Sequence, residues 1–215
     1  MCFSAPASFA AGATLGVLGV VTISKARTTK EIPLASIPLL LGLQQATEGI
    51  VWISFGAPLL NSAATFIYSL FAYVLWPIYV PLAIFLIEPD PVRKSALRLC
   101  AFIGGFLSLY LLYFGVTEPV SSEIVGQSIA YHSATLYPIA SILIYLVAVC
   151  GSCFLSSHRM IQILGLTLFI AFGISYWFYT QTFFSVWCFF AALLSVTIYF
   201  HLAHTRTTSV SQVTL

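Results

Sequence analysis

Long apolar segments separated by short polar stretches fill almost the whole chain. At about 1.5 Å per helical residue, each segment is long enough to cross about 30 Å of hydrocarbon. The pattern predicts an all-α, polytopic membrane protein that forms a seven-helix bundle. The predicted helices cover residues 5–23, 32–55, 64–87, 97–116, 131–155, 160–179 and 182–204. We expect one bundle over residues 1–204 and a short tail over residues 205–215.

The positive charges predict the orientation of this bundle. All 8 Lys and Arg residues lie in or directly beside the first, third and fifth connections or in the tail. Basic connections stay on the cytoplasmic side of a membrane. The N-terminus is therefore predicted outside and the C-terminus in the cytoplasm, in a multi-pass protein of the inner (cytoplasmic) membrane.

Composition supports the membrane class and excludes several others. The chain is 60% hydrophobic and 7% charged, whereas about a quarter of the residues are charged in soluble proteins. Membrane lipids are therefore expected partners. The net charge of +2 gives no support for nucleic-acid binding. Walker, G-x-S-x-G and H-E-x-x-H motifs are absent from the sequence. Nothing in the sequence distinguishes a monomer from a dimer.

A polar stripe interrupts the second predicted helix. Gln44, Glu48 and Trp52 recur one turn apart, and Gln45 lies beside them. A carboxylate at the centre of a bilayer costs about 2.5 to 3.5 kcal/mol on insertion scales. Glu48 is therefore predicted to face protein or trapped water rather than lipid, and the stripe is the expected functional site.

The first predicted helix contains small residues that favour close packing, and the third contains prolines that interrupt a helix. Small residues at three- or four-residue spacing, including Gly12 and Gly19, predict close helix packing in the first. In the third, Pro77 and Pro81 each remove a backbone hydrogen bond, so freed carbonyl groups need other partners. The fifth carries a line of hydroxyl groups: Ser133, Tyr137, Ser141 and Tyr145.

The predicted topology places a thiol, a carboxylate and an imidazole near the outer leaflet. These groups are Cys2, Glu48 and His132, the last at the start of the fifth predicted helix. If they meet, they can bind a zinc-like divalent metal or copper and leave one position open for water. Alternatively, Cys2 is a nucleophile with His132 as its base. Glu48 would then act as a metal ligand or general base.

Simpler interpretations remain open for the same residues. Glu48 can be a structural hydrogen-bonding group, His132 an interfacial residue, and Cys2 a terminal residue without a role. On the inner side, the Cys150-x-x-Cys153 pair can bind metal or perform redox chemistry, but buried cysteines usually pack as small apolar groups. Two further inner histidines, His201 and His204, are expected to mark the membrane interface.

Several short motifs resemble those of a known family. They are Met1-Cys2-Phe3-Ser4, Gln44-Gln45 with Glu48-Gly49 and Trp52, and Trp76-Pro77 with Tyr79. Together they are similar to a widespread bacterial family of uncharacterised seven-helix membrane proteins that begin with Met-Cys-Phe-Ser. The resemblance implies the same seven-helix topology and does not imply an activity.

These observations lead to one principal hypothesis and two alternatives. We expect an outward-opening polar pocket that binds a metal ion or a small-molecule ligand and supports chemistry on a periplasmic or outer-leaflet substrate. A small-solute transporter and a receptor or sensor subunit without catalysis are the alternatives. The predicted lining residues are Gln44, Gln45, Glu48, Trp52, Trp76, Tyr79, His132 and Tyr137.

Overall fold

The computed structural model describes residues 4–118, 120–132 and 139–203. This part of the chain is mainly helical, with one short hairpin of strands. The helices are α1 (Ala5–Ile23), α2 (Ile32–Ala35), α3 (Ile37–Ile53), α4 (Pro58–Ser69), α5 (Trp76–Ile87), α6 (Pro91–Thr117), α7 (Ile139–Leu146), α8 (Ser152–Leu155), α9 (Arg159–Phe178) and α10 (Phe183–Leu194). The strands are β1 (Ser121–Val125) and β2 (Ser128–His132).

Within the described residues, five helical runs are long and apolar enough to cross a membrane. They are Ala5–Ile23, Pro58–Ile87, Pro91–Thr117, Arg159–Phe178 and Phe183–Ala203. A shorter apolar run covers Ile139–Leu155, and α3 has 17 residues after the separate turn of α2. The helical membrane class predicted from the sequence is therefore supported.

The boundary predictions succeed at the first helix and fail at the fifth. Helix α1 has the predicted limits, and Ser4 accepts a hydrogen bond from Ala7 N at its start. The helix predicted over residues 131–155 does not begin at Tyr131, because Tyr131 and His132 belong to β2. A two-residue loop joins the strands, with Gly126 at φ +62°. Glycine adopts this left-handed conformation without steric cost.

Glycines bring α1 and α3 into backbone contact, as their spacing predicted. A Cβ atom built on Gly12 would lie 3.0 Å from Gly42 O, and one on Gly19 would lie 2.5 Å from Leu39 Cα. Side chains at these positions would force the helices apart. The close contact fixes one side of α3 against α1 and directs the polar stripe towards the other helices.

A π-helical turn over Leu70–Leu75 separates α4 from α5, immediately before the Trp76-Pro77 pair. Side-chain hydroxyl groups from other helices satisfy carbonyl groups of this turn. Tyr145 donates to Ala72 O at 2.7 Å, and Ser108 donates to Val74 O at 2.7 Å. Two carbonyl groups close to the prolines thus accept hydrogen bonds from other helices. A second π-helical turn, Val147–Gly151, follows α7.

The carbonyl group freed by Pro81 belongs to Pro77, and it faces Gly104 of α6. A Cβ atom built on Gly104 would lie only 1.8 Å from Pro77 O. This backbone contact therefore requires glycine at position 104. By contrast, Gly115 of the same helix has no atom within 4 Å of the corresponding position.

Replacing Gly104 should therefore separate α5 from α6. We expect Gly104→Ala to lower the free energy of unfolding by about 1–3 kcal/mol, the usual range for overpacking. Gly115→Ala is the matched control and should leave stability unchanged or raise it by up to about 1 kcal/mol through helix propensity. Unfolding of both variants in detergent micelles measures the difference, and equal stabilities would contradict the contact.

Candidate functional site

Three polar side chains of α3 are completely buried. Gln44, Gln45 and Glu48 are each 0% exposed. Helical geometry places them, together with the half-buried Trp52, within an arc of about 100° on α3. The prediction that Glu48 faces protein rather than lipid is confirmed. These polar residues face the other helices because the opposite side of α3 packs against α1 or is exposed.

Hydrogen bonds connect this arc to other helices. Ser185 of α10 donates its hydroxyl hydrogen to Glu48 Oε1 at 2.5 Å. Trp76, the first residue of α5 after the π-helical turn, donates Nε1–H to Gln44 Oε1 at 2.8 Å. The stripe predicted on a single helix is therefore the meeting point of three helices.

Cys188 and Tyr68 complete the site. Cys188 lies one turn after Ser185 on α10. Its side chain borders Gln44 and Tyr68, and Glu48 is close enough to act on it electrostatically. We call the following residues the polar cluster: Gln44, Glu48, Tyr68, Trp76, Ser185 and Cys188.

An apolar cavity of about 50 Å³ adjoins the polar cluster. Trp76 and Cys188 line it together with Tyr145 and Trp187. This volume is far below the roughly 300–1,000 Å³ of typical small-molecule sites. A larger molecule would require one of the tryptophan side chains to move.

Several buried polar atoms beside the polar cluster have no hydrogen-bond partner in the described part of the chain. Both amide atoms of Gln45 belong to this group, as do Gln44 Nε2, Trp52 Nε1 and Ser8 Oγ. An unsatisfied buried group costs about 1–3 kcal/mol, and such groups in native proteins usually have an explanation such as a bound ligand or water. Their concentration around α3 identifies the candidate binding site.

The β-hairpin covers the cluster at the end of the bundle where α3 ends. Tyr131 of β2 stacks on Tyr68, with ring centroids 4.4 Å apart and an interplanar angle of 8°. Hydroxyl and amide groups fix β1 to α4, because Thr65 donates to Ser122 at 2.9 Å and Ser122 donates to Asn61 at 3.0 Å. The hairpin is therefore a packed part of the site.

His132 points away from the polar cluster. Its Nε2 lies 3.3 Å from Glu123 Oε2, and 54% of its side chain is exposed. Successive side chains of a strand point to opposite faces. Since Tyr131 points inward, His132 points outward. The structure therefore places His132 at the surface and Glu48 in the interior, with different partners.

The remaining predicted residues separate into three groups. Trp76 belongs to the site, while Tyr79 packs edge-on against Trp76 and its hydroxyl lies 2.5 Å from that of Ser36. Cys2 and Tyr137 lie outside the described residues.

In the residues that are described, no group of three His, Cys, Asp or Glu side chains is arranged to hold a metal ion. The proposed zinc or copper ligation therefore has no support from the described geometry.

Sequence reasoning missed Ser185, Cys188 and the hairpin. Ser185 carried the same signal as Glu48, a polar side chain within an apolar helix, but a hydroxyl group is a weaker signal than a carboxylate. The Gly-x pair at 126–127, between short runs that contain β-branched and aromatic residues, was the available signal for the hairpin. Recognising the hairpin would have led to the prediction that His132 points away from the polar cluster.

Comparison with known proteins gives one match. The sequence model described as "Family of unknown function (DUF6629)" matches residues 1–213. The chain belongs to this family. No curated protein and no solved structure matches it. Membership of DUF6629 confirms the resemblance to an uncharacterised family and assigns no activity.

At the opposite end of the bundle, this DUF6629 protein has a second buried carboxylate. Glu88, which is 2% exposed, follows α5 and accepts hydrogen bonds from Ser157 N at 2.8 Å and Ser157 Oγ at 2.6 Å. Burial raises the pKa of Glu88, but the Ser157 side-chain and backbone bonds, the Asp90 N–H and the nearby His158 outweigh it and lower the pKa below 4.5. The ionised carboxylate therefore holds the connection after α5 against the connection before α9.

The inner cysteines and histidines have structural surroundings. Cys150 and Cys153 are buried in and beside the second π-helical turn, and Cys153 Sγ donates to Val149 O at 3.3 Å. The rings of His158 and His201 are 5.1 Å apart. His204 lies outside the described residues. Packing is the role that the described geometry gives to the cysteine pair.

The two faces of β2 should respond differently to mutation. Tyr131→Ala removes a buried stacked ring and should lower the free energy of unfolding by about 3–5 kcal/mol, the range for deleting a large buried aromatic ring. His132→Ala should change it by less than about 1 kcal/mol, because exposed ion pairs contribute little. Thermal unfolding of the two neighbouring variants provides the comparison. A larger loss for His132→Ala would contradict the strand orientation.

Ionised Glu88 should stabilise the fold at neutral pH. A carboxyl group whose pKa is lowered on folding contributes stability above its ordinary pKa of 4.5, and loses it as the pH falls through the folded value. Glu88→Gln should therefore cost about 1.5–3 kcal/mol at pH near 7, the range for hydrogen bonds to a charged group. The difference from wild type should shrink below pH 4.5.

Unfolding measured at neutral and acidic pH tests this dependence. Glu123→Gln is the control, because it makes the same change of charge at an exposed site. A Glu88→Gln cost that stays constant across the pH range would show that the ionised form is not the stabilising one.

Proposed function

We propose that this chain is a multi-pass membrane protein that binds a small polar solute between the polar cluster and Gln45. The observation that carries the proposal is the burial of Gln45 with both amide atoms unsatisfied in the described residues. A glutamine with only a packing role would be replaced by an apolar residue at a gain in stability. A ligand that supplies the missing hydrogen bonds would offset the cost of burying these two atoms.

The atoms around the site suggest the chemistry of the solute. Gln44 Nε2 and Trp52 Nε1 are donors, and Gln45 offers both a donor and an acceptor. A molecule with hydroxyl or amide groups, which both donate and accept, fits this set. A positively charged group beside Glu48 would also be favoured.

The proposal includes seven membrane crossings with the N-terminus outside, in the inner membrane. One cavity is lined by Thr28, Glu88 and His158, from the first, third and fifth predicted connections, and by Leu202 near the end of the last helical run. Alternate connections lie at one end of the bundle in a chain that crosses the membrane repeatedly. The shortness of α3 is offset by α2, which extends the same segment.

Transport of the solute is the second candidate function. Two π-helical turns, Leu70–Leu75 and Val147–Gly151, interrupt helices beside the site, and Tyr145 connects the two helices through Ala72 O. Interrupted helices near the binding site are typical of secondary transporters. This arrangement allows Trp76 to move relative to Gln44 without breaking a regular helix.

A metal-dependent or catalytic function through Cys2, Glu48 and His132 is less favoured by the described contacts. It would require His132 to leave Glu123 and turn inward. The solute-binding proposal leaves the hairpin in place and requires only that a tryptophan side chain moves to admit the solute.

The sharpest test uses Gln45→Met, which keeps the shape of the side chain and removes its polar atoms. Without ligand, this variant should be more stable than wild type by about 1–3 kcal/mol, because unsatisfied groups disappear. In thermal unfolding with a panel of polyols, sugars, amino acids and small amides, at least one solute should stabilise the wild type. At 100 times its dissociation constant the gain is about 2.7 kcal/mol.

That stabilisation should be lost in Gln45→Met and in Glu48→Gln. Thr47→Val is the control on the same helix, because the Thr47 hydroxyl bonds to Leu43 O within its own helix. The proposal fails if Gln45→Met is less stable than wild type without ligand, or if the solute stabilises all variants equally. Including Zn²⁺ and Cu²⁺ in the panel tests the metal alternative, which predicts a response lost in His132→Ala.

A further inference from the structure

A groove runs along the outer surface between α5 and α6. Unlike the buried polar cluster, it is mainly apolar. Its volume is about 480 Å³, within the range of small-molecule sites. Gly105 forms its floor, since a Cβ atom there would have only Ile78 Cδ1 near it, at 3.6 Å. The walls are apolar side chains: Ile78, Leu82, Phe102, Phe106 and Leu109.

Two positive charges lie at one end of this groove. The Lys94 Nζ atom is 5.1 Å from the centre of the Phe85 ring, and the Arg98 guanidinium carbon is 5.7 Å from it. Neither side chain forms an ion pair with a carboxylate in the described residues. They differ from Arg93, which donates to the carbonyl groups of Leu155 and Ser156. Lys94 and Arg98 thus have charge available for an external anion.

The dimensions fit an amphiphile. From Arg98 to Leu109 the groove follows α6 for about 16 Å, at about 1.5 Å per residue. Arg98 lies about 10 Å from the start of α6 at Pro91, a depth from which an arginine side chain reaches the membrane interface. The charged end is therefore at headgroup level, and the apolar part extends into the hydrocarbon.

We propose that this groove is a binding site for one anionic phospholipid from the leaflet on the basic face of the protein. Its phosphate contacts Arg98 and Lys94, and one acyl chain lies over Gly105 between the aromatic side chains of α6 and the aliphatic side chains of α5. Charge complementarity selects the anionic headgroup, and the concave shape distinguishes the site from the surrounding surface. The site is independent of solute binding at the polar cluster.

Lipid retention by the full chain tests the proposal. Native mass spectrometry is applied to protein released from micelles that contain phosphatidylglycerol and phosphatidylcholine at equal concentrations. The wild type should retain one phosphatidylglycerol in preference to phosphatidylcholine. Removing both charges in Lys94→Gln/Arg98→Gln should weaken its retention roughly 30-fold, since each cation near an anionic headgroup contributes about fivefold.

Two further variants distinguish a specific lipid site from general electrostatic attraction to anionic lipids. Gly105→Leu fills the groove while keeping every charge, and should also reduce phosphatidylglycerol retention. Arg159→Gln removes an exposed positive charge outside the groove and should leave retention unchanged. The proposal is overturned if Arg159→Gln weakens binding as much as the double variant, or if Gly105→Leu has no effect. Unfolding temperatures confirm that each variant is folded.

Discussion

Burial of the Glu48 carboxyl group is the constraint on which the rest of the bundle depends. A charged or partly charged group inside an apolar protein is tolerated only when hydrogen bonds replace its lost hydration. Ser185 supplies a short hydrogen bond from α10, and Trp76 fixes the neighbouring Gln44 from α5. These bonds require three helices to meet at one level of the membrane. The polar cluster therefore determines the arrangement of the helices as well as the chemistry of the site.

The irregular helices follow from this requirement. Trp76 reaches Gln44 from the first residue of α5, directly after a π-helical turn that changes the direction of the side chains that follow. The turn exposes carbonyl groups, and these must be satisfied because no water is available in hydrocarbon. Tyr145 and Ser108 provide the hydrogen bonds. The Trp76 side chain is thus positioned through an irregularity that two other helices stabilise.

The sequence predicts those features that depend on local pattern or on the cost of burial. Length and hydropathy give α1 its limits, and the solvation cost of a carboxylate predicts that Glu48 is buried. Long-range partners cannot be obtained in this way, because the pairing of Glu48 with Ser185 depends on how distant helices pack. The hairpin was missed for another reason: its last two residues, Tyr131 and His132, come before an apolar run and resemble the start of a membrane helix unless the Gly126 turn is recognised.

The position of the hairpin argues against a metal site shared by Glu48 and His132. Bringing His132 inward requires β2 to shift its register by one residue, and such a shift turns every side chain of a strand to the opposite face. Tyr131 would then leave its stack with Tyr68, and the buried Ile129 would be exposed as well. Each large side chain loses about 1.5–3 kcal/mol of burial, and the stack about 0.5–1.5 kcal/mol more. A cost of this size favours a site formed by the inward-facing groups already in place, which are amides, an indole and a carboxylate.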